Sequence, residues 1–290
     1  MIAKLLKTNS VLLLVFTFLS ISLIVSCGTS TKTSPAAHTS IKNYEDALRV
    51  FVYNIHHAEG VDGEVDIERI ADVIRQKDPH LVALNEVDVN IERSGNVDIM
   101  EILSESLEME PMFGKNLNHE GGEYGNGILT NLLLFSSENL HLERAEEGEQ
   151  RGLLQTEVEF NGVRIAFMTT HLDHQSDSNR QLAVQQISEF KENHPDMPII
   201  IVGDFNATPD NDIIGQMNVH FNDAWVEVGE GQGYTIPVPK SATNRRIDYI
   251  FYSNIMVEDG GPILRPIHME VINSIASDHL PVYGVFEVVQ

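Results

Sequence analysis

The chain has a single cysteine, Cys27, so it forms no internal disulfide. It is also poor in bases: 19 Lys and Arg stand against 43 Asp and Glu, giving a formal net charge of −24. Such a balance repels polyphosphate over most of the surface and lacks the footprint of a general nucleic-acid binder, which leaves room only for a local basic groove. Lys240 with Arg245 and Arg246 is the compact basic group of the later sequence. There is no Gly-x-Ser-x-Gly elbow and no Gly-Lys-Ser/Thr phosphate loop, so serine-nucleophile and P-loop chemistry lack their motifs.

What is present bounds the class. Apolar residues make up 42% of the 290 and charged residues 21%, enough for a substantial core. Near the start, Lys4 and Lys7 precede an apolar run over 11–25, which is short for a membrane span and suited to a signal-peptide core. The run ends in Ser26-Cys27-Gly28 and resembles a bacterial lipoprotein signal, in which Cys27 is lipidated and tethers the protein to a membrane of the cell envelope. An ordinary secretory signal with an incidental cysteine is the plainer alternative. Residues 28–43 are rich in Ser, Thr, Pro and Ala and read as a flexible tether, and 44–290 as one domain.

Within that domain, apolar β-branched runs predict strands over 48–55, 81–87, 128–135, 152–159, 163–171, 198–204, 246–251 and 281–288. Helical spacing marks 66–76, 97–107, 178–192 and 211–217. Asn161-Gly162 is a hairpin signal, and 121–127 reads as a Gly-rich loop. Trp225 and Tyr234 fall in loops. The mixture implies an α/β (α+β) four-layer sandwich, two packed mixed β-sheets flanked by helices.

The chemistry lies at strand ends. Asp204 and Asn206 follow a buried run in alternate positions, so they share a side of the extended chain, although Asp and Asn are also plain turn formers. Asn54, Glu86, His171 with Asp173, Asp248, and Asp278 with His279 repeat the pattern. Half-buried carboxylates cost several kcal/mol unless paired or metal-bound, and a hard divalent ion with oxygen ligands supplies a reason for them. Two histidines add acid–base capability near neutral pH. His56-His57, or His171 with His174, could suggest zinc instead. Adjacent histidines on an extended strand point to opposite sides, however, and no His-Glu-x-x-His helix accompanies them.

Together, Tyr53-Asn54, Asn85-Glu86-Val87, Tyr124-Gly125-Asn126, Thr170-His171-Leu172-Asp173, Gly203-Asp204-Phe205-Asn206, Arg246-Ile247-Asp248-Tyr249-Ile250 and Ser277-Asp278-His279-Leu280-Pro281 resemble the endonuclease/exonuclease/phosphatase superfamily. The resemblance implies a metal-dependent phosphohydrolase whose ion, Mg2+ with Mn2+ or Ca2+ as alternatives, is held by Asn54 and Glu86, with Asp278 beside it. It implies that Asp248 orients His279, and that His279 activates or electrostatically assists the attacking water. Asp204 would position that water or the phosphate, Asn206 would donate to an equatorial oxygen, and His171 would act on the leaving-group side. Asn126 stands where nuclease relatives carry an acid. Tyr124 could reach phosphate or pack over the glycines, while Arg151 is favoured over Arg93 and Arg180 as a phosphate clamp. The expected substrate is a small, lipid or glycan phosphoester, a diester before a monoester. Nucleic acid is the less favoured partner, an exported nuclease the second reading, and a non-catalytic binding lipoprotein the third.

Overall fold

A computed structural model describes Tyr44 and residues 46–253 and 263–289. The expected signal peptide, lipidated Cys27 and tether lie outside these residues. The elements run β1 (Leu48–Asn54), α1 (Ile67–Arg75), β2 (Leu81–Val89), α2 (Ile99–Leu107), β3 (Glu110–His119), β4 (Gly122–Thr130), β5 (Leu133–His141), β6 (Gly152–Phe160) and β7 (Val163–His171). There follow α3 (Asp177–Asn193), β8 (Ile199–Asp204), α4 (Asp212–His220), β9 (Phe221–Asp223), α5 (Ala224–Val228), β10 (Asp248–Ser253), β11 (Ile263–Val271) and β12 (Val282–Val289).

The strands form two six-stranded sheets, ordered β11-β12-β1-β2-β4-β3 and β5-β6-β7-β8-β10-β9. Each sheet has one parallel pair near its centre, β1 with β2 and β7 with β8, and antiparallel neighbours elsewhere. Side-chain alternation builds the layers. Val50 and Val52 of β1 face inward against Phe167, Ile200, Val202 and Ile250 of the other sheet, forming the core between the sheets. Phe51 and Tyr53 face outward onto Ile70, Ile74, Ile99 and Leu103 of α1 and α2. Ile199 and Ile201 of β8 face outward onto Val184, Ile187, Ile213 and Met217 of α3 and α4. Burying one such aliphatic side chain contributes roughly 1.5–3 kcal/mol, so these alternating runs hold the strand ends in place. The helices begin at capping side chains. Asp66 accepts from the Arg69 amide, Asp98 from those of Met100 and Glu101, Ser176 from Asn179, and Asn211 from Ile213.

The sandwich agrees with the sequence reading, but several elements differ. The Gly-rich stretch expected as a loop is most of β4, with β2 and β3 on either side. Gly125 passes so close to β3 that a Cβ there would sit 2.0 Å from the Gly114 carbonyl oxygen, so the glycine serves strand packing. The single strand expected over 128–135 is two, divided between Thr130 and Leu133. Strands β3, β9 and β11 and helix α5 were not expected, and Trp225 sits within α5.

Candidate active site

Strand register assembles the site. Asn54 at the end of β1 pairs with Asn85 of β2, His171 at the end of β7 with Asp204 of β8, and Asp204 with Asp248 at the start of β10. The loop before β12 supplies Ser277, Asp278 and His279. Side chains then join the two sheets. The Asp204 amide donates to Asn85 Oδ1 at 3.0 Å, and Asn54 Nδ2 donates to Asp204 Oδ2 at 3.1 Å and to Glu86 Oε1 at 3.0 Å. Ser277 donates from Oγ to the Asn54 carbonyl at 2.7 Å. Glu86 lies in a bulge between Leu84 and Val87 with φ 61°, which takes its carboxylate out of strand alternation.

Asp204 Oδ2 lies 3.6 Å from His171 Nε2 and 3.7 Å from His279 Nε2. His279 Nδ1 contacts Asp248 Oδ2 at 2.9 Å. All four groups are buried. Burial, and then the Asp248 charge, push the Asp204 carboxyl up to about 7, while His279 pulls it down. Burial opposes charge on His279, but the Asp248, Asp204 and Asp278 carboxylates prevail and push it up to about 10. Burial, with Arg151, His279 and His174 nearby, holds His171 well below the usual imidazole value. The two histidines therefore carry different charge at neutral pH, His279 cationic and His171 neutral.

Asp204, Asn206, Glu86, His171 and His279 line one open cleft of about 350 Å³, with Tyr124 and Arg151 on its wall. The Asn206 backbone amide donates to Asp204 Oδ1 at 2.8 Å, and its Nδ2 donates to the Leu172 carbonyl at 3.0 Å. Arg151 is buried, bonds Glu149 at 2.7 Å through Nη2, and leaves Nε and Nη1 without partners among the described residues. Burial and the Glu86 charge raise the Tyr124 hydroxyl well above its ordinary value, so it stays a donor.

Other expected residues lie elsewhere. Asn126 is buried behind the cleft, accepting from Asn85 Nδ2 at 3.0 Å and donating to the Gly152 carbonyl at 3.2 Å. Asp278 is half-buried beside Ser277, and its charge is felt at His279. Asp173 caps the entry to α3, accepting from the Gln175 and Ser176 amides and from Asn179 Nδ2. Arg93 pairs through two bonds of 2.8 Å with buried Asp88, and Arg246 likewise forms a buried pair with Asp223 at 2.8 Å. Arg246 therefore drops out of the basic group, while exposed Arg245 lines the cleft. Trp225 and Tyr234 line a different groove with Lys240 and Glu270.

Asn85, present in the Asn85-Glu86-Val87 motif but given no role of its own there, ties the sheets together through its side chain; a carboxamide within an otherwise apolar strand is its signal. Sequence reasoning misplaced His56 and His57. They form a left-handed turn, at φ 46° and 45°, and not a strand, and their rings lie 4.4 Å apart. Ligand-capable atoms of His56, His57 and Glu86 all lie within 4.8 Å of one another, as do those of Asp204, Asp248 and His279.

Two mixed sheets whose strand ends converge on carboxylates, amides and imidazoles define the architecture of a phosphohydrolase sandwich. The chain belongs to the endonuclease/exonuclease/phosphatase family, whose model matches residues 51–279. It is 23% identical over 171 residues to the uncharacterized protein YbhP of Escherichia coli K12, covering 55% of this chain and 67% of that one. An endonuclease/exonuclease/phosphatase from Beutenbergia cavernae superposes with TM-score 0.68 at 23% identity, covering 84% of this chain and 72% of that one. The mannosyl-6-phosphatase Bt3783 of Bacteroides thetaiotaomicron does so with TM-score 0.67 at 19% identity, covering 84% and 100%. Enzymes of the family depend on a divalent metal, and the donors here fit one: the Glu86 and Asp204 carboxylates lie on the cleft, both within hydrogen-bond reach of the Asn54 amide.

Proposed function

We propose that this chain hydrolyses phosphoester bonds by in-line attack of water, on small, lipid or glycan phosphoesters and on diesters before monoesters. The observation that carries the reading is the Asp204 carboxylate set between two imidazoles in an open cleft, one of them held by Asp248. Asp204 orients the attacking water and accepts its hydrogen bond. His279, kept cationic by Asp248, stabilises charge gathering on the phosphoryl oxygens, and Asn206 is a further polar group at that edge. His171, neutral and buried, stands on the leaving-group side. Arg151 offers its two unpartnered nitrogens to a phosphate oxygen, and Tyr124 its hydroxyl. Glu86 and Asn54 would hold the divalent ion, with Asp278 next to it, and the bound ion would supply charge neutralisation at the phosphoryl group.

The net charge of −24 and the loss of Arg246 to a buried pair support a small ester over nucleic acid. The cleft volume of about 350 Å³ suits a head group or sugar phosphate. We further propose that a lipid on Cys27 holds the enzyme at a bacterial cell envelope, so wild type is recovered with membranes and Cys27→Ala is not. The test of activity is a parallel assay of metal-stripped full-length chain, resupplied with Mg2+ or Mn2+. The substrates are bis-p-nitrophenyl phosphate, p-nitrophenyl phosphate, phospholipids and plasmid DNA, with Glu86→Ala as control. Metal-dependent diester or lipid cleavage lost in Glu86→Ala is expected. Strong plasmid nicking at physiological salt would make it a nuclease, and equal rates in Glu86→Ala would overturn the catalytic reading.

A further inference from the structure

His56 and His57 have no part in the reaction above, yet the chain holds them against Glu86 at a conformational cost. His56, His57, Ala58 and Glu86 all take positive φ, between 45° and 68°, in a region that costs non-glycine residues on the order of 1–3 kcal/mol each. Register forces the meeting. Asn54 and Asn85 are partners in the parallel pair β1 and β2, and the Ile55 amide continues the ladder to the Asn85 carbonyl at 3.1 Å. The residues just beyond that pair on each strand are the histidine turn and Glu86.

The ring nitrogens add an independent observation. His57 is 6% exposed, its Nε2 meets Glu59 Oε2 at 3.3 Å, and its Nδ1 is buried without a partner among the described residues. His56 Nδ1 meets the Glu59 carbonyl oxygen at 3.3 Å, and among the described residues no hydrogen bond is made to its Nε2. Each imidazole thus donates one N–H to Glu59, through the side chain in one case and the backbone in the other, and keeps the lone pair of its other nitrogen. Metal-binding histidines are held in this way: a carboxylate or carbonyl takes the far N–H and fixes the tautomer that ligates.

We infer that His56, His57 and Glu86 form a two-imidazole, one-carboxylate site for a first-row transition ion of the Mn2+, Fe2+ or Zn2+ class, with Glu59 as its outer support. Nitrogen donors of this kind suit such ions, whereas Mg2+ takes oxygen ligands and keeps its water. The inference rests on the reading of Glu86 as a metal ligand in the proposed function and names the chemistry of the ion it holds. It also reverses the sequence argument against nitrogen ligation, which required the two histidines to continue an extended strand.

The test reads binding and not turnover. Metal-stripped full-length chain is titrated with Co2+, followed by its visible absorption, and with Mn2+, followed by electron paramagnetic resonance with detection of coupling to nitrogen-14. Wild type is expected to bind Co2+ tightly and to show imidazole nitrogen coupled to Mn2+. His56→Ala and His57→Ala are expected to lose at least about tenfold in Co2+ affinity, since even outer partners of metal ligands are worth that much. Glu59→Gln keeps both imidazoles and the buried packing, and it weakens Co2+ binding if the support is real. Mn2+ bound in a Glu86-dependent way with no nitrogen coupling, or Co2+ bound equally well by wild type and a folded His56→Ala, would overturn the inference while leaving the proposed function standing. Loss of the proposed function is read separately, as turnover unaffected by Glu86→Ala.

Discussion

His279 meets Asp248 through Nδ1 at 2.9 Å, and that contact decides which ring nitrogen faces Asp204 and the cleft. Asp248 accepts, so Nδ1 donates, and Nε2 is the nitrogen turned toward the reacting group. Replacing Asp248 by Asn removes the charge that sustains the cationic ring and lets the carboxamide present an N–H to Nδ1, so the tautomer is no longer fixed. We expect Asp248→Asn and His279→Asn each to lower kcat by about 100-fold or more at saturating metal, with cooperative thermal unfolding retained. Turnover within a few-fold of wild type in both variants would refute the assignment.

Arg151 offers a different readout. Its Nη2 is occupied by Glu149 at 2.7 Å, while buried Nε and Nη1 have no partner among the described residues and the residue lines the cleft. A lysine keeps the charge and loses the planar fork, so Arg151→Lys tests geometry apart from sign. A charge-assisted hydrogen bond is worth about 1.5–3 kcal/mol, which corresponds to a rise in KM of roughly tenfold to a hundredfold. If phosphate is bound elsewhere, KM will not move.

The parts of this fold legible in the sequence were those in which a side chain's direction follows from a buried strand. Asn54, His171 and Asp204 end apolar runs, and alternation carried His171 and Asp204 to the cleft and Asn54 to the carboxylates of Glu86 and Asp204 beside it. Where tertiary pairing overrode local pattern, the reading failed. Strand β3 has an exposed start at Glu110 and Pro111, and the glycines of β4 are set by three different neighbours, Gly125 by β3, Gly122 by the end of β2 and Gly127 by Met100 of α2. The His56-His57 turn was hidden because a left-handed run of non-glycine residues has no local signature. Asn126 was misleading for another reason: its amide faces Asn85, a partner 41 residues distant in sequence.

Gly203 connects strand packing to the site. It has φ 136°, and a Cβ there would lie 1.9 Å from the carbonyl oxygen of Thr170, its partner in β7. The obstacle is backbone in a central strand and has no room to yield. Gly203→Ala is expected to cost at least about 2 kcal/mol and to separate His171 from Asp204, the next pair in the register. Urea unfolding of the two proteins checks the first effect. A midpoint unchanged from wild type would mean that β7 and β8 can part without penalty.

His80 couples the other end of the sandwich to pH. Its Nδ1 accepts from the Arg49 amide at 3.1 Å and its ring lies 5.2 Å from that of Phe160, so the fold needs it neutral. Burial first, and the Arg49 charge next, lower it from 6.5 to about 4. A histidine with a depressed value contributes stability that is fully present above the unfolded value near 6.5. That stability is lost progressively as pH falls through the folded value near 4, because the unfolded chain takes up the proton first. Allowing for the ring's partial exposure, the effect is about 2 kcal/mol. Between pH 7 and pH 4.5, wild type should therefore lose stability faster than His80→Gln, which has no proton to gain. Unfolding free energies of the two proteins measured across that interval should converge on the acid side, and curves that stay parallel would show that His80 is not the group responsible.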